Sequence, residues 1–186
     1  MKKQFLAVAL ALTAATASSS TLAATHYVAL ALNRNYIETD SNHFAISAHA
    51  NTLEGIYGLE YNDNLATEAR FGLGINKGTR RLDGQEEPLD LGEIEFKTNY
   101  ALYAKPQLHF GAFKAFALLG YADYNAELSF RELDYLASSN TSYKGTSYGL
   151  GAGWSYDQHA LNIEWHTTKS NDTTINSTAV SYQFNF

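Results

Sequence analysis

Asn176-Ser-Thr-Ala-Val-Ser-Tyr-Gln-Phe-Asn-Phe186 is the stretch on which the fold turns. Its even positions are Thr178, Val180, Tyr182, Phe184 and Phe186, and its odd positions are Ser177, Ala179, Ser181, Gln183 and Asn185. Successive side chains of a strand point to opposite faces, so one face here is aromatic and aliphatic and the other small and polar. A protein core could bury such a face, and so could lipid. The rest of the chain decides between them.

The chain opens Met1-Lys2-Lys3, followed by an apolar run from Phe5 to about Ala17 and small residues through Thr21-Leu22-Ala23-Ala24. A positive start, an apolar segment too short to span a bilayer and a small-residue stretch read as a secretory signal peptide over residues 1–24, cut after Ala23 or Ala24. Residues 25–186 then form one domain. The absence of cysteine excludes a lipoprotein anchor and a disulfide framework. A net charge of −6 argues against a nucleic-acid surface, which needs a basic stripe. With 13 Tyr and 10 Phe against two Pro, composition favours strands. After the leader no run approaches the ~18 apolar residues of a membrane helix, so entry into a membrane requires a closed barrel.

Taken in order, the first strand runs from His26 to Asn35, with Val28, Leu30 and Leu32 opposing Ala29, Ala31 and Asn33. Residues 36–52 are polar and read as a long loop, and a change of phase near Asn51 suggests a bulge. A second strand from Leu53 to Tyr61 meets the tight turn Asn62-Asp63-Asn64. The third, Leu65 to Ile75, sets Leu65, Phe71, Leu73 and Ile75 against Glu68 and Arg70, so the aliphatic face is the one that avoids water. Residues 76–92 form a second, charged loop containing Arg80 and Arg81.

The fourth strand, Glu93 to Gln107, groups Ile94, Phe96, Tyr100 and Leu102 against Glu95, Lys97, Asn99, Tyr103 and Lys105, with Pro106 near its end. The fifth sets Phe116, Leu118, Ala122 and Tyr124 against Ala117, Leu119, Tyr121 and Asp123, with Leu119 out of place. Residues 126–145 form the third long loop, whose start keeps alternating and predicts a hairpin projecting beyond any membrane. The sixth strand, Thr146 to Tyr156, is the cleanest, and Asp157-Gln158-His159 is a tight turn. The seventh places Leu161, Ile163, Trp165 and Thr167 outward against Asn162, Glu164, His166 and Thr168. A short polar loop leads to the eighth, the stretch quoted first.

Eight alternating strands of about nine to eleven residues, with short turns on one rim and longer loops on the other, are the signature of an outer-membrane barrel. The fold class expected is all-β, an eight-stranded antiparallel up-and-down transmembrane β-barrel. A soluble barrel would place its apolar face inside and would not sort its connections by length.

Four segments carry a family resemblance: Tyr100-Ala-Leu-Tyr-Ala-Lys-Pro106, Phe116-Ala-Leu-Leu-Gly-Tyr121, Gly149-Leu-Gly-Ala-Gly-Trp154 and Tyr182-Gln-Phe-Asn-Phe186. The chain resembles the small eight-stranded outer-membrane barrels of Gram-negative bacteria, of the OmpX and OmpA barrel type. That resemblance implies a role for Tyr182, Phe184 and Phe186 as the signal read by the barrel-assembly machinery. It specifies architecture and export better than activity, since the family includes adhesins, host-defence factors and lipid-modifying enzymes.

The polar set expected inside the barrel is Glu54, Glu60, Glu68, Arg70, Glu95, Lys97, Lys105, Asp123, Glu164 and His166. An eight-stranded barrel is just wide enough for side chains to fill, so these would pair across the lumen. Tyr61, Trp154, Tyr156 and Trp165 read as an interfacial aromatic girdle. Glu164 and His166 with Ser147 or Ser155 could suggest a triad. Outer-membrane lipid-A deacylases, however, place a His-x-Ser pair toward lipid, whereas here His166-Thr-Thr168 turns His166 inward. His43 and His49 are a weak metal-binding spacing, and no metal, cofactor or catalytic residue is assigned. The expected role is structural, with surface interaction through the three loops; a narrow porin-like channel is the alternative and a lipid-A-modifying enzyme the third reading. Partners expected are outer-membrane lipid and lipopolysaccharide, the assembly machinery and an extracellular protein, but no nucleic acid; the barrel is expected to be a monomer.

Overall fold

Alternation runs through nearly the whole chain, and the computed structural model closes it into one antiparallel ring. Residues 24–41, 44–83, 89–132 and 135–186 are described; apart from Ala24, the expected leader lies outside them, as does His43. The strands are β1 (Thr25–Ser41), β2 (Phe44–Asn62), β3 (Leu65–Gly74), β4 (Lys77–Asp83), β5 (Leu89–Phe110), β6 (Phe113–Glu132), β7 (Tyr135–Tyr156), β8 (His159–Ser170) and β9 (Thr173–Asn185). β4 continues the lane of β3, since both pair with β2 and β5, so the described strands occupy eight positions around the ring. β1 closes on β9 from Tyr27↔Asn185 to Thr39↔Thr173, and the Phe186 amide donates to the His26 carbonyl at 2.9 Å. Closure leaves no unpaired edge at the level of lipid, where each unmet backbone group is costly.

Turn chemistry fixes the short connections. Asn62 Oδ1 accepts from the Asn64 amide at 2.8 Å between β2 and β3. Asp157 and Asn171 adopt φ of 54° and 48° at the β7–β8 and β8–β9 turns, a left-handed conformation that Asp and Asn tolerate better than most residues.

The segments 36–52, 76–92 and 126–145 are corrected from loops to largely paired strand. β1 and β2 stay in one register from Thr25↔Glu60 to Ser41↔Phe44, so there is no bulge between them at Asn51. β4 and the start of β5 fill the second segment, and β6 pairs with β7 as far as Glu132↔Tyr135. The phase change has another cause. Along β1 the outward row Val28, Leu30, Leu32 gives way to Arg34 and Tyr36, while the inward row Asn33, Asn35 gives way to Ile37. Below this boundary the wall faces lipid and the lumen is polar; above it the wall faces water and the interior is apolar. Alternation continues with its hydrophobic sign reversed.

That reversal also explains the misplaced faces of β5 and β6. A register shift between Phe96 and Thr98, opposite Ala126 and Asn125, turns Ile94 and Phe96 inward and leaves Glu95 and Lys97 on the outer wall. In β6 it is Lys114, Phe116, Leu118, Ala122 and Tyr124 that point inward, and Leu119 and Asp123 that point out. Aromatic residues fill the upper lumen, so apolarity alone did not identify the lipid side.

The belt that results is the inverse of a soluble surface. Leu30, Leu53, Phe71, Leu102, Leu150, Ile163 and Val180 are all exposed, Leu150 by 65%. A contiguous apolar band around the whole ring is far beyond what a soluble monomer shows, and it matches a barrel set in hydrocarbon.

Candidate functional site

At the centre of the lower lumen β3 presents Glu68 and Arg70 two residues apart on one face. Arg70 Nε donates to Glu68 Oε2 at 2.9 Å, and its guanidinium also pairs with both carboxylate oxygens of Glu164 on β8, Nη2 to Oε2 at 3.0 Å. Glu54 on β2 lies 3.8 Å from Nη1 and accepts from the Asn99 amide. Glu68 Oε1 receives Lys105 Nζ at 2.7 Å and the Tyr27 hydroxyl at 2.6 Å. The Tyr103 ring lies 4.9 Å from the guanidinium carbon and the Phe116 ring 4.3 Å from Lys105 Nζ. Such a cluster is tolerable away from water because each of these charges has a partner of opposite sign and Arg70 is shared by three carboxylates.

The expected polar residues divide accordingly. Glu54, Glu68, Arg70, Lys105, Glu164 and His166 are buried together in the lumen. Glu60 faces the same lumen at its periplasmic end, half-buried and within electrostatic reach of Tyr27 and Lys114. Glu95, Lys97 and Asp123 do not join them. Lys97 Nζ bridges Glu95 and Glu127 at 3.0 Å each on the outer wall, and Asp123 pairs there with Lys144 at 2.9 Å. Hydrogen bonds to Glu95 and Glu127 raise the Lys97 pKa, and those to Asp123 raise that of Lys144. Lys114, which sequence reasoning left out, enters the lumen and donates to Gln183 Oε1 at 3.1 Å. The signal that could have found it was Leu119, the one large aliphatic residue on the expected inner face of β6, which is in fact exposed.

Above the charges the interior is packed. Ile94, Phe96, Leu118, Tyr124 and Ile175 are each at most 1% exposed and form one apolar cluster with Ile37, Ala48 and Ala50. His166 sits beneath it, Nε2 3.4 Å from the Tyr124 hydroxyl and Nδ1 3.6 Å from Glu164. The Ser147 hydroxyl bonds instead to Tyr103 at 2.8 Å and Thr168 at 2.9 Å. Ser147 and His166 are thus each engaged elsewhere and are buried.

On the outer wall, Trp154, Tyr156 and Trp165 are exposed, and Trp154 stacks on Tyr156. Tyr61 is half-buried and hydrogen-bonds Thr67. At the closing seam, Phe186 stacks on His26, and Tyr182 bonds His159 Nδ1 at 2.6 Å, with Phe184 beside the same imidazole.

The upper wall has a long open edge among the described residues. β7 pairs with β6 along its full length but with β8 only from Thr146↔Lys169 downward. Residues 135–144 therefore lack a second strand partner among the described residues. Gly145 marks the junction, because a Cβ there would fall 1.6 Å from the Lys169 carbonyl oxygen. At ~3.3 Å per residue the open edge is about 33 Å long.

A closed antiparallel ring with a lipid-type belt and a salt-bridged lumen defines a transmembrane β-barrel. The chain belongs to the outer membrane protein beta-barrel domain family, whose model matches residues 5–186. Membership implies residence in the outer membrane. Among solved structures it is similar to OprG of Pseudomonas aeruginosa (12% identity, covering 88% of this chain and 96% of that one, TM-score 0.61). It is also similar to the attachment invasion locus protein Ail of Yersinia pestis (16% identity, 88% and 99% covered, TM-score 0.58). Neisserial surface protein A is a third (11% identity, 87% and 97% covered, TM-score 0.59). At these identities the likeness concerns the fold. Comparison with curated protein sequences gave no match.

Proposed function

We propose that the protein is a non-enzymatic surface-interaction barrel that offers the β6–β7 hairpin as a docking edge for an extended segment of an extracellular protein. The observation that carries this reading is the unpaired edge of β7 over residues 135–144. An open ladder of amides and carbonyls is a template for strand addition, with main-chain bonds giving affinity and flanking side chains giving selectivity. Natural edges are usually blunted by charge, proline or a bulge. This one carries Ser138, Ser139, Asn140, Thr141 and Ser142, and its lysine, Lys144, is held by Asp123. Burial of His166 and Ser147 beneath the apolar cluster weighs against the lipid-modifying enzyme. In the same reading the barrel is a monomer, exported by the leader at residues 1–24, with Tyr182, Phe184 and Phe186 met by the assembly machinery.

The test shortens the hairpin in register, replacing residues 128–139 with an Asn-Gly turn between the paired Glu127 and Asn140. Cells displaying the intact barrel should adhere to a panel of immobilised serum and matrix proteins. Cells displaying the shortened barrel, still heat-modifiable on gels, should lose most of that adherence. Undiminished adherence of the shortened form would overturn the reading.

A further inference from the structure

On the lipid-facing wall of β1, β2 and β3 a groove of about 460 Å³ is lined by Val28, Gly55, Tyr57, Ala69 and Phe71. Gly55 points outward in a row flanked by Leu30 and Phe71, with Leu53 above and Tyr57 below. Glycine weakens a strand and needs a reason. At Gly72, Gly74, Gly120, Gly149 and Gly153 the reason is local, since a Cβ would collide with a neighbouring atom. At Gly55 it is not: a Cβ there would meet nothing closer than the Phe71 carbonyl oxygen at 3.9 Å. The space is open toward the bilayer and requires no glycine for folding.

Directly above, on the same strands, the rim is basic. Arg34 on β1, His49 on β2 and Arg81 on β4 are all exposed and outward. Arg34 is flanked in register by Asn51 and Thr178, with no carboxylate beside it. His49 lies tilted against Tyr36, ring centroids 4.8 Å apart, two residues above Arg34 on the same face. Glu38 shares the row of Arg81 across Ser47, and Asp90 on β5 is the register partner of Arg81, so Arg34 is the cation of this rim with no carboxylate in its row. By contrast, Lys77 pairs with Glu93, Lys97 with Glu95 and Glu127, and Lys144 with Asp123. Burial first, and then the charges of Arg34 and Arg81, lower the His49 pKa, so both arginines lie within electrostatic reach of its imidazole.

We infer that this face seats one phosphorylated, acylated lipid of the outer leaflet, its phosphate at Arg34, His49 and Arg81 and an acyl chain in the groove at Gly55. The spacing fits. From His49 to Gly55 β2 runs about 20 Å at ~3.3 Å per residue. With a strand tilt of ~40° that is about 15 Å of depth, one leaflet's share of a ~30 Å hydrocarbon core. Arginine supplies a planar fork matched to phosphate oxygens, and positive charge at the membrane surface favours anionic headgroups. The site lies on β1, β2, β3 and β4, away from the β7 edge, so either proposal can fail without the other.

The probe is bis-phosphorylated lipid A, titrated into phosphatidylcholine nanodiscs carrying the folded barrel, with the His49 imidazole resonances as the readout. Saturable shifts are expected, with the His49 pKa rising as phosphate offsets the two arginines. Arg34→Ala should weaken binding about tenfold. Gly55→Leu, which fills the groove and leaves the charges intact, should weaken it several-fold; both variants are checked for heat-modifiable folding. Arg34→Ala carries the test if Gly55→Leu does not fold. Equal binding of dephosphorylated lipid A, the same response to inorganic phosphate, or unchanged affinity in the folded variants would overturn the inference. So would crosslinking through a cysteine placed at Gly55 that yields a dimer, since a second copy would then occupy the groove.

Discussion

Arg70 on β3 reaches across the lumen to Glu164 on β8, and both side chains are at least 98% buried. Their strands stand well apart around the ring, so this pair, with Glu54 and Glu68 on the same guanidinium, ties opposite walls together. Arg70→Met would leave three buried carboxylates without their shared cation. Losing one partner of a buried pair costs about 3–5 kcal/mol, because the charges left behind have no water to replace it. Urea unfolding in detergent micelles should show that loss, and Arg70→Met combined with Glu164→Gln should recover part of it.

The apolar cluster above the charges predicts electrical silence. Phe96, Leu118, Tyr124 and Ile175 fill the cross-section where ions would pass, and hydrated ions do not cross such packing. In planar bilayers the folded protein should give no unitary conductance at any voltage. Reproducible channel events would restore the narrow-pore alternative.

On the lipid side, Ile163→Lys places a charge near mid-belt on an exposed position. The expected cost is about 2–4 kcal/mol in the folding equilibrium measured in bilayers. Asn140→Lys, on the projecting hairpin, should change stability by under about 0.5 kcal/mol. Equal effects would mean that the belt has been drawn on the wrong strand face.

Phe186 and Gln183 separate assembly from stability. Phe186 is 61% exposed and stacks on His26, whereas Gln183 is buried and accepts from Lys114 and Asn162. Phe186→Asp should sharply reduce the amount of heat-modifiable barrel in outer-membrane fractions. Gln183→Ser should assemble normally. Normal assembly of both would make the last strand ordinary packing.

Much of this architecture was legible in the sequence, and unevenly so. In β7, β8 and β9 the small or polar row, from Ser147 to Gly153 and from Ser177 to Gln183, left one face for lipid, and those faces match the structure except at Thr167, which is buried against Asn176. β5 and β6 resisted because they run from lipid into the upper wall. Phe96 and Tyr124 are apolar in a part of the ring where apolar means inside, and a single bulge at Lys97 exchanged the faces within one strand. The buried core of the charge cluster followed from cost alone, since Glu68 and Arg70 share a face and neither belongs in hydrocarbon. The open edge of β7 was not legible, because it depends on β8 stopping at Ser170, a comparison between two strands and not a property of either. The basic rim was missed because Arg34 lay at the end of a strand and His49 within a segment read as loop.

The exchange of polarity partway up the wall fixes the protein's height in the bilayer. Raising the barrel by one residue pair would lift Leu32, Leu53 and Leu73 into water; lowering it would draw Arg34, Lys144 and Lys169 into hydrocarbon. Since neither displacement is cheap, thickness mismatch must be absorbed by the surrounding lipids, which stretch or compress to meet the belt. The barrel thus sets the local contour of its own membrane, and any molecule meeting the β6–β7 hairpin finds it held at a constant altitude above the lipid surface.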